Sequence, residues 1–180
     1  MKRAVIVMMI GVLTASIACA VPDLTAGTKE FYVAGFFDGN NPLDYQFDLD
    51  GGCGVFVKDN WEVLGVAGIH VNDAVSVLGI GAATEYNFVA DSEWVPFVGV
   101  GLLWGADEMD DSISNDAERI DESTLLVRLS GGVKYFLKPD VAVSLHLDYD
   151  QSTDDIYPDQ DGNLDDYTWG LKLGMRLFWE

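Results

Sequence analysis

Basic residues are scarce. Lys and Arg total ten in 180 residues against thirty Asp and Glu, giving a formal net charge of −20. So acidic a chain cannot contact many phosphates, which excludes nucleic-acid binding by counterion release. It equally excludes docking of a basic face on anionic lipid. Cysteine is almost absent, at two residues. No stretch keeps a helical period of useful length, no Ser/Pro-rich linker divides the chain, and no internal repeat is visible, so one domain is expected. Disorder is excluded by 12% aromatic content and a mean hydropathy of +0.13.

The first twenty residues read as an export signal. Lys2 and Arg3 precede the apolar run Ala4–Leu13, and small residues follow up to Ala18-Cys19-Ala20. The apolar run is short for a membrane-spanning helix of roughly 20 residues. A lipoprotein signal acylated at Cys19 is the other reading, but Ser16 stands where such signals usually carry Leu. Cleavage after Ala20 removes two of the ten bases and none of the acids, leaving a mature charge of −22. It also leaves Cys53 as the sole thiol, so no internal disulfide forms. Cys53 lies in an alternating apolar series and reads as a small hydrophobe.

The rest of the chain alternates with a period of two. From Tyr167 to Trp179 the odd positions are Tyr, Trp, Leu, Leu, Met, Leu and Trp, while Thr168, Gly170, Lys172, Gly174, Arg176 and Phe178 lie between them. The same alternation runs through Tyr45–Val57, Leu125–Leu137 and Val141–Tyr149. Four less regular strands are expected at Lys29–Phe37, Trp61–Val71, Val75–Phe88 and Val95–Gly105, making eight in all. Thirteen alternating residues exceed the usual soluble strand of about five or six and suit a membrane barrel with an apolar side to lipid.

The connections divide into two sets. Tight turns are expected at Lys58-Asp59-Asn60, Val89–Trp94 and Lys138-Pro139-Asp140. Longer loops follow the first, fifth and seventh strands, as Asp38–Leu43, Ala106–Ser123 and Asp150–Asp166, with a short link near Asn72–Ala74. With the tight turns at one end, that end collects Phe31, Trp61, Phe88, Trp94, Tyr135 and Trp179. The other end collects Phe37, Tyr45, Trp104, Tyr149, Tyr167 and Trp169. Two aromatic rings are what two membrane interfaces favour.

The final segment, Lys172-Leu173-Gly174-Met175-Arg176-Leu177-Phe178-Trp179, resembles the assembly signal that ends outer-membrane barrels, carried by Lys172, Gly174, Leu177 and Trp179. It departs from that signal only in Glu180, which follows the terminal aromatic. Pro96–Gly101 and Gly131–Phe136 are similar to strands of small porin-like barrels. The mature chain thus resembles eight-stranded outer-membrane barrels of the OmpA-domain and OmpX type. The resemblance implies an all-β, antiparallel, up-and-down transmembrane barrel in the outer membrane of a Gram-negative bacterium, with both termini in the periplasm. It implies outer-membrane lipids, lipopolysaccharide and the barrel-assembly machinery as partners, and no particular activity. A closed barrel has no unpaired edge, and its oligomeric state is open.

The lumen charges read from the alternation are Asp48, Asp50, Glu85 and Asp148 against Arg128, Lys134, Lys172 and Arg176. Four against four predicts a nearly neutral, paired plug; a narrow ion path lined by the same groups is the functional alternative. Half of the thirty acids fall in two loops: eight between Asp107 and Glu122, and seven between Asp150 and Asp166. Within the second, Asp159, Asp161 and Asp165 flank a Gly-Asn turn and offer oxygen ligands to calcium or magnesium, without the EF-hand pattern. Cations there would bridge the loops to lipopolysaccharide phosphates. No other cofactor is expected.

Two other functions compete. Ser144, His146 and Asp148 are the residue types of a lipid hydrolase, but same-face neighbours on a strand lie about 7 Å apart. The segment also does not match the arrangement of barrel deacylases. A soluble periplasmic lipocalin-like barrel would reverse the faces, with Leu125, Val127, Leu171 and Leu173 around an apolar ligand. The expected function is therefore a non-catalytic, integral barrel with a structural, surface-interaction or narrow-pore role.

Overall fold

The structure is a computed structural model and describes residues 22–38, 46–72, 75–109, 123–154, 157–158 and 164–180. The expected leader lies outside these residues. Seven long strands come first: β1 (Lys29–Asp38), β2 (Gln46–Lys58), β3 (Trp61–Asn72), β4 (Val75–Asn87), β5 (Trp94–Met109), β6 (Ser123–Lys138) and β7 (Val141–Ser152). A two-residue hairpin follows, β8 (Tyr157–Pro158) with β9 (Leu164–Asp165), and then β10 (Tyr167–Trp179). The eight long strands close into one antiparallel barrel in which every neighbour is also a sequence neighbour, save the seam where β1 meets β10. The seam register runs from Lys29↔Trp179 to Gly35↔Leu173. A 13-residue strand such as β10, at about 3.3 Å per residue and a tilt near 40°, stands about 33 Å tall. That height clears the apolar band of an outer membrane, about 25 Å.

The alternation sets the faces. On β10 Leu171, Leu173, Met175 and Leu177 are exposed on the barrel's outside, while Lys172 and Arg176 between them are buried inside. On β4 and β5 the parity flips: Leu78, Ile80, Val98, Val100 and Leu102 face outward from even positions, and Glu85, Phe97 and Leu103 face inward. Glycines at the inward odd positions had blurred this stripe. The outside is thus apolar and the inside charged, which overturns the lipocalin-like alternative. Burying Lys172 and Arg176 inside requires partners, and the lumen supplies them.

Strands β5, β6 and β7 run past the expected ends, to Met109, from Ser123 and to Ser152. Asp107 and Glu108 break the apolar pattern, yet the ladder continues through Val77↔Asp107 and Ser76↔Glu108. Backbone hydrogen bonding needs no lipid, so the sheet outlasts its apolar face. At the other end the turn between β2 and β3 places Asn60 at φ 67°, the left-handed region that Asn tolerates. Register shifts at Phe56/Lys58 and Phe136/Lys138 adjoin two of the tight turns.

Aromatic side chains gather at both ends. Phe31, Trp61, Tyr86, Phe88, Trp94 and Trp179 are exposed near the turns, with Trp94 against half-buried Tyr135 at 4.5 Å. Trp104, Tyr149, Tyr167 and Trp169 are exposed towards the loops, where Tyr149 and Tyr167 stack at 6.0 Å. Tyr45 and the side chain of Phe37 lie outside what is described. Cys53 is exposed on the outer face, as its parity predicts.

Candidate functional site in the barrel lumen

The lumen is built in levels. At the turn end Phe56, Val95, Phe136, Ala142 and Phe178 point inward and pack as a fully buried apolar cluster. Phe178 lies 5.1 Å from Phe136 and 6.5 Å from Phe56. Residues 22–28 fold across this end and press Leu24 into the same cluster. Three backbone bonds of 2.8 Å hold the strap: Gly27 donates to Phe56, Phe56 to Thr28, and Asn60 to Leu24.

Next is a sealed charged layer. Lys134 Nζ sits 2.9 Å from Glu30 Oε2, 3.0 Å from Glu85 Oε2 and 3.8 Å from Glu62 Oε2. Arg176 reaches Glu30 at 2.5 Å and Glu85 at 2.9 and 3.2 Å. Its guanidinium lies 4.9 Å from the Tyr32 ring centre and 4.7 Å from that of Phe97. Removal of two cations from water is costly, and these carboxylates and ring faces compensate it. Gly54 makes room: a Cβ there would collide with Glu62 Oε1. The three glutamates have oxygens within 4.8 Å of one another, but Lys134 is the cation they surround.

Towards the loops an apolar cluster of Tyr32, Ala34, Leu64, Val66, Leu103 and Leu126 reaches Tyr157 of β8, which is buried at the barrel mouth. Beside it lies the second charged layer. Arg128 grips both oxygens of Asp150 at 2.7 Å and donates to Asp50 at 3.0 Å. Lys172 bonds Asp50 and lies 3.2 Å from Asp148. Asp48 meets His70 at 2.5 Å, and Tyr157 stands edge-on to that imidazole at 6.1 Å. Two cavities remain, of about 50 Å³ near the mouth and about 20 Å³ below it, sharing Asp50, Leu103, Arg128 and Asp148 in their walls. Since one water needs at least 10–15 Å³, they have room for a few waters.

All eight lumen charges read from the alternation point inside, and the structure brings them into two groups rather than one. The expectation of charge balance needs correction. Glu30, Glu62 and Asp150 also lie in the lumen, making seven acids against four cations among the described residues. Asp150 had been counted with the acidic loop; β7 continues through it and Arg128 holds it inside. Parity could have found Glu30, an even position on a strand whose partner β2 carries Asp48 and Asp50 at even positions. Glu62 was hidden because β3 is apolar on both faces, its inner stripe being Leu64 and Val66. Inward Phe56, Phe136 and Phe178, each beside the turn end of its strand, were the signal of the seal.

Of the loop acids proposed for cations, Asp159 and Asp161 lie outside the described residues. Asp165 is half-buried on β9, paired with Tyr157. Ser144, His146 and Asp148 are all buried in the lumen. His146 Nε2 comes within 3.5 Å of Asp148 Oδ2, closer than strand spacing alone suggests, because the side chains lean together. Ser144 Oγ and His146 Nδ1 form no hydrogen bond, so no nucleophile–base contact exists. In the terminal segment Lys172 and Gly174 face the lumen, while Leu177 and Trp179 are exposed outside.

A closed barrel with an apolar exterior, aromatic rings at both ends and its charges inside is an integral membrane barrel. The chain belongs to the outer membrane protein beta-barrel domain family, whose profile matches residues 11–176, and it resides in the outer membrane. Among solved structures it is similar to the N-terminal β-barrel domain of Pseudomonas aeruginosa OprF, at 17% identity and a TM-score of 0.62 over 86% of this chain and 98% of that one. It is similar to the outer membrane protein OprG of the same organism, at 14% identity and a TM-score of 0.60 over 89% and 99%. Neisserial surface protein A shares 16% identity at a TM-score of 0.58 over 83% and 94%. At such identities the likeness is one of fold. No curated protein matches the chain.

Proposed function

We propose that this outer-membrane barrel is a non-conducting, non-catalytic scaffold that displays acidic loops at the cell surface. The observation that carries this reading is the turn-end seal, where Leu24, Phe56, Phe136 and Phe178 close the lumen beneath a buried ion-pair layer. An ion crossing it would displace packed aromatic rings and shed its water, each costing several kcal/mol. Catalysis is disfavoured because Ser144, His146 and Asp148 are enclosed and Ser144 lacks a base.

The leader 1–20 would export the chain, and the terminal strand would be read by the barrel-assembly machinery. The turn end would then face the periplasm. Calcium or magnesium held by the loop acids, Asp159, Asp161 and Asp165 among them, would link the barrel to lipopolysaccharide phosphates. The test of the scaffold reading is current through planar bilayers holding the refolded, heat-modifiable barrel. No stepwise conductance is expected. Discrete openings whose size follows salt concentration would refute it.

A further inference from the structure

We infer that the sealed layer at the turn end is a proton-binding site, and that Glu62 carries the proton in the folded barrel. The argument is a charge count made on geometry. The layer holds three carboxylates, Glu30, Glu62 and Glu85, and two cations, Lys134 and Arg176. Glu30, Glu62 and Lys134 are 0% exposed and Arg176 is 1% exposed, while Glu85, at 7%, borders the lower cavity together with Arg176, so water reaches the edge of the layer and not Glu62. Both cations are spent on the other two glutamates, at 2.5 to 3.0 Å. Glu62 is left over: its nearest cation is Lys134 at 3.8 Å, and neither of its oxygens forms a hydrogen bond.

An ionised carboxylate in this position would be a buried, unpaired charge, which proteins avoid by neutralising the group. The groups facing Glu62 offer no other neutraliser. Glu30 comes from β1, Glu85 from β4, Lys134 from β6 and Arg176 from β10. Around them β2 brings Gly54 and Phe56, β5 brings Val95 and Phe97, and β7 brings Ser144. None of these is a cation, and His146 of β7, which shares the lower cavity with Glu85 and Arg176, is turned to Asp148 of the other layer at 3.5 Å. A metal ion does not fit either, because Lys134 occupies the space among the three carboxylates. One proton makes the layer neutral.

The experiment is infrared spectroscopy of the intact barrel, refolded in lipid at neutral pH, reading the carbonyl stretch of a protonated carboxyl group. A difference spectrum against E62Q cancels the other carboxyl groups, the mouth-layer aspartates included. One such band is expected, and it should vanish in E62Q while heat-modifiable mobility is retained. E30Q supplies the second arm. It leaves two carboxylates for two cations, so Glu62 can ionise and the band should vanish again although Glu62 is intact. Absence of the band from the unsubstituted barrel overturns the assignment. So does a band that survives E62Q, or one that survives E30Q.

Discussion

Arg176→Met is the substitution that most directly weighs the lumen network. The guanidinium donates to Glu30 and twice to Glu85 while lying over Tyr32 and Phe97. Met keeps much of the aliphatic stem but leaves Lys134 alone to face three glutamates. Removing one member of a buried ion network costs about 3–5 kcal/mol, because the partner charges stay buried and unpaired. At a urea slope of about 2 kcal/mol/M, a loss of about 4 kcal/mol lowers the unfolding midpoint by about 2 M. Tryptophan fluorescence in detergent micelles reads the transition well, since Trp61, Trp94, Trp104, Trp169 and Trp179 are all exposed to the surrounding apolar phase. Adding E85Q in the same chain should restore part of the loss by removing an orphaned charge. A midpoint within about 0.3 M of the unsubstituted barrel, or no recovery from E85Q, would refute the idea that paired charges hold this interior together.

Three further outcomes follow from the same geometry. Leu173→Arg puts a charge on the lipid face of β10, midway along the strand, and should destabilise the barrel by about 2–4 kcal/mol in refolding titrations, whereas Leu177→Arg nearer the end should cost less. Bromine attached to lipid headgroup-proximal carbons should quench Trp61, Trp94, Trp104, Trp169 and Trp179 more than bromine at the chain ends, and equal quenching at both depths would contradict the two aromatic rings. Calcium should slow protease cleavage within residues 153–166, and D159N/D161N/D165N should abolish that protection; rates unchanged by calcium would remove the cation bridge.

How much of this was legible in the sequence depends on the face concerned. The outer face was read on β2, β6, β7 and β10, where lipid imposes one rule on every outward position, and was blurred on β1, β3, β4 and β5 by glycines or by a second apolar stripe. β10 matches its expected span of Tyr167–Trp179 at both ends. The inner face obeys two rules at once. Near the turns it must be filled by apolar groups such as Phe56 and Phe178, and above them by paired charges, so its positions alternate between residue types that a period of two does not distinguish. Glu62 illustrates the difficulty: its strand looks apolar on both sides, and only the closure of β3 against β4 brings it opposite Glu85. Asp150 shows the converse, a residue whose acidic neighbours suggested a loop although Arg128 makes it part of the wall.

The pair Glu30–Arg176 joins residues 146 positions apart, and it straddles the seam between the first and last strands. Until those strands meet, Arg176 and Glu85 lie on one piece of sheet and Glu30 on its far edge, each able to keep its water. Joining the seam strips that water and completes the pairing in a single event. For this pair a half-curled sheet gains little and a finished cylinder gains much. The Glu30 pairing acts as a fastener that rewards the last stitch, whereas Arg128 and Asp150, facing each other on neighbouring β6 and β7, pair without it.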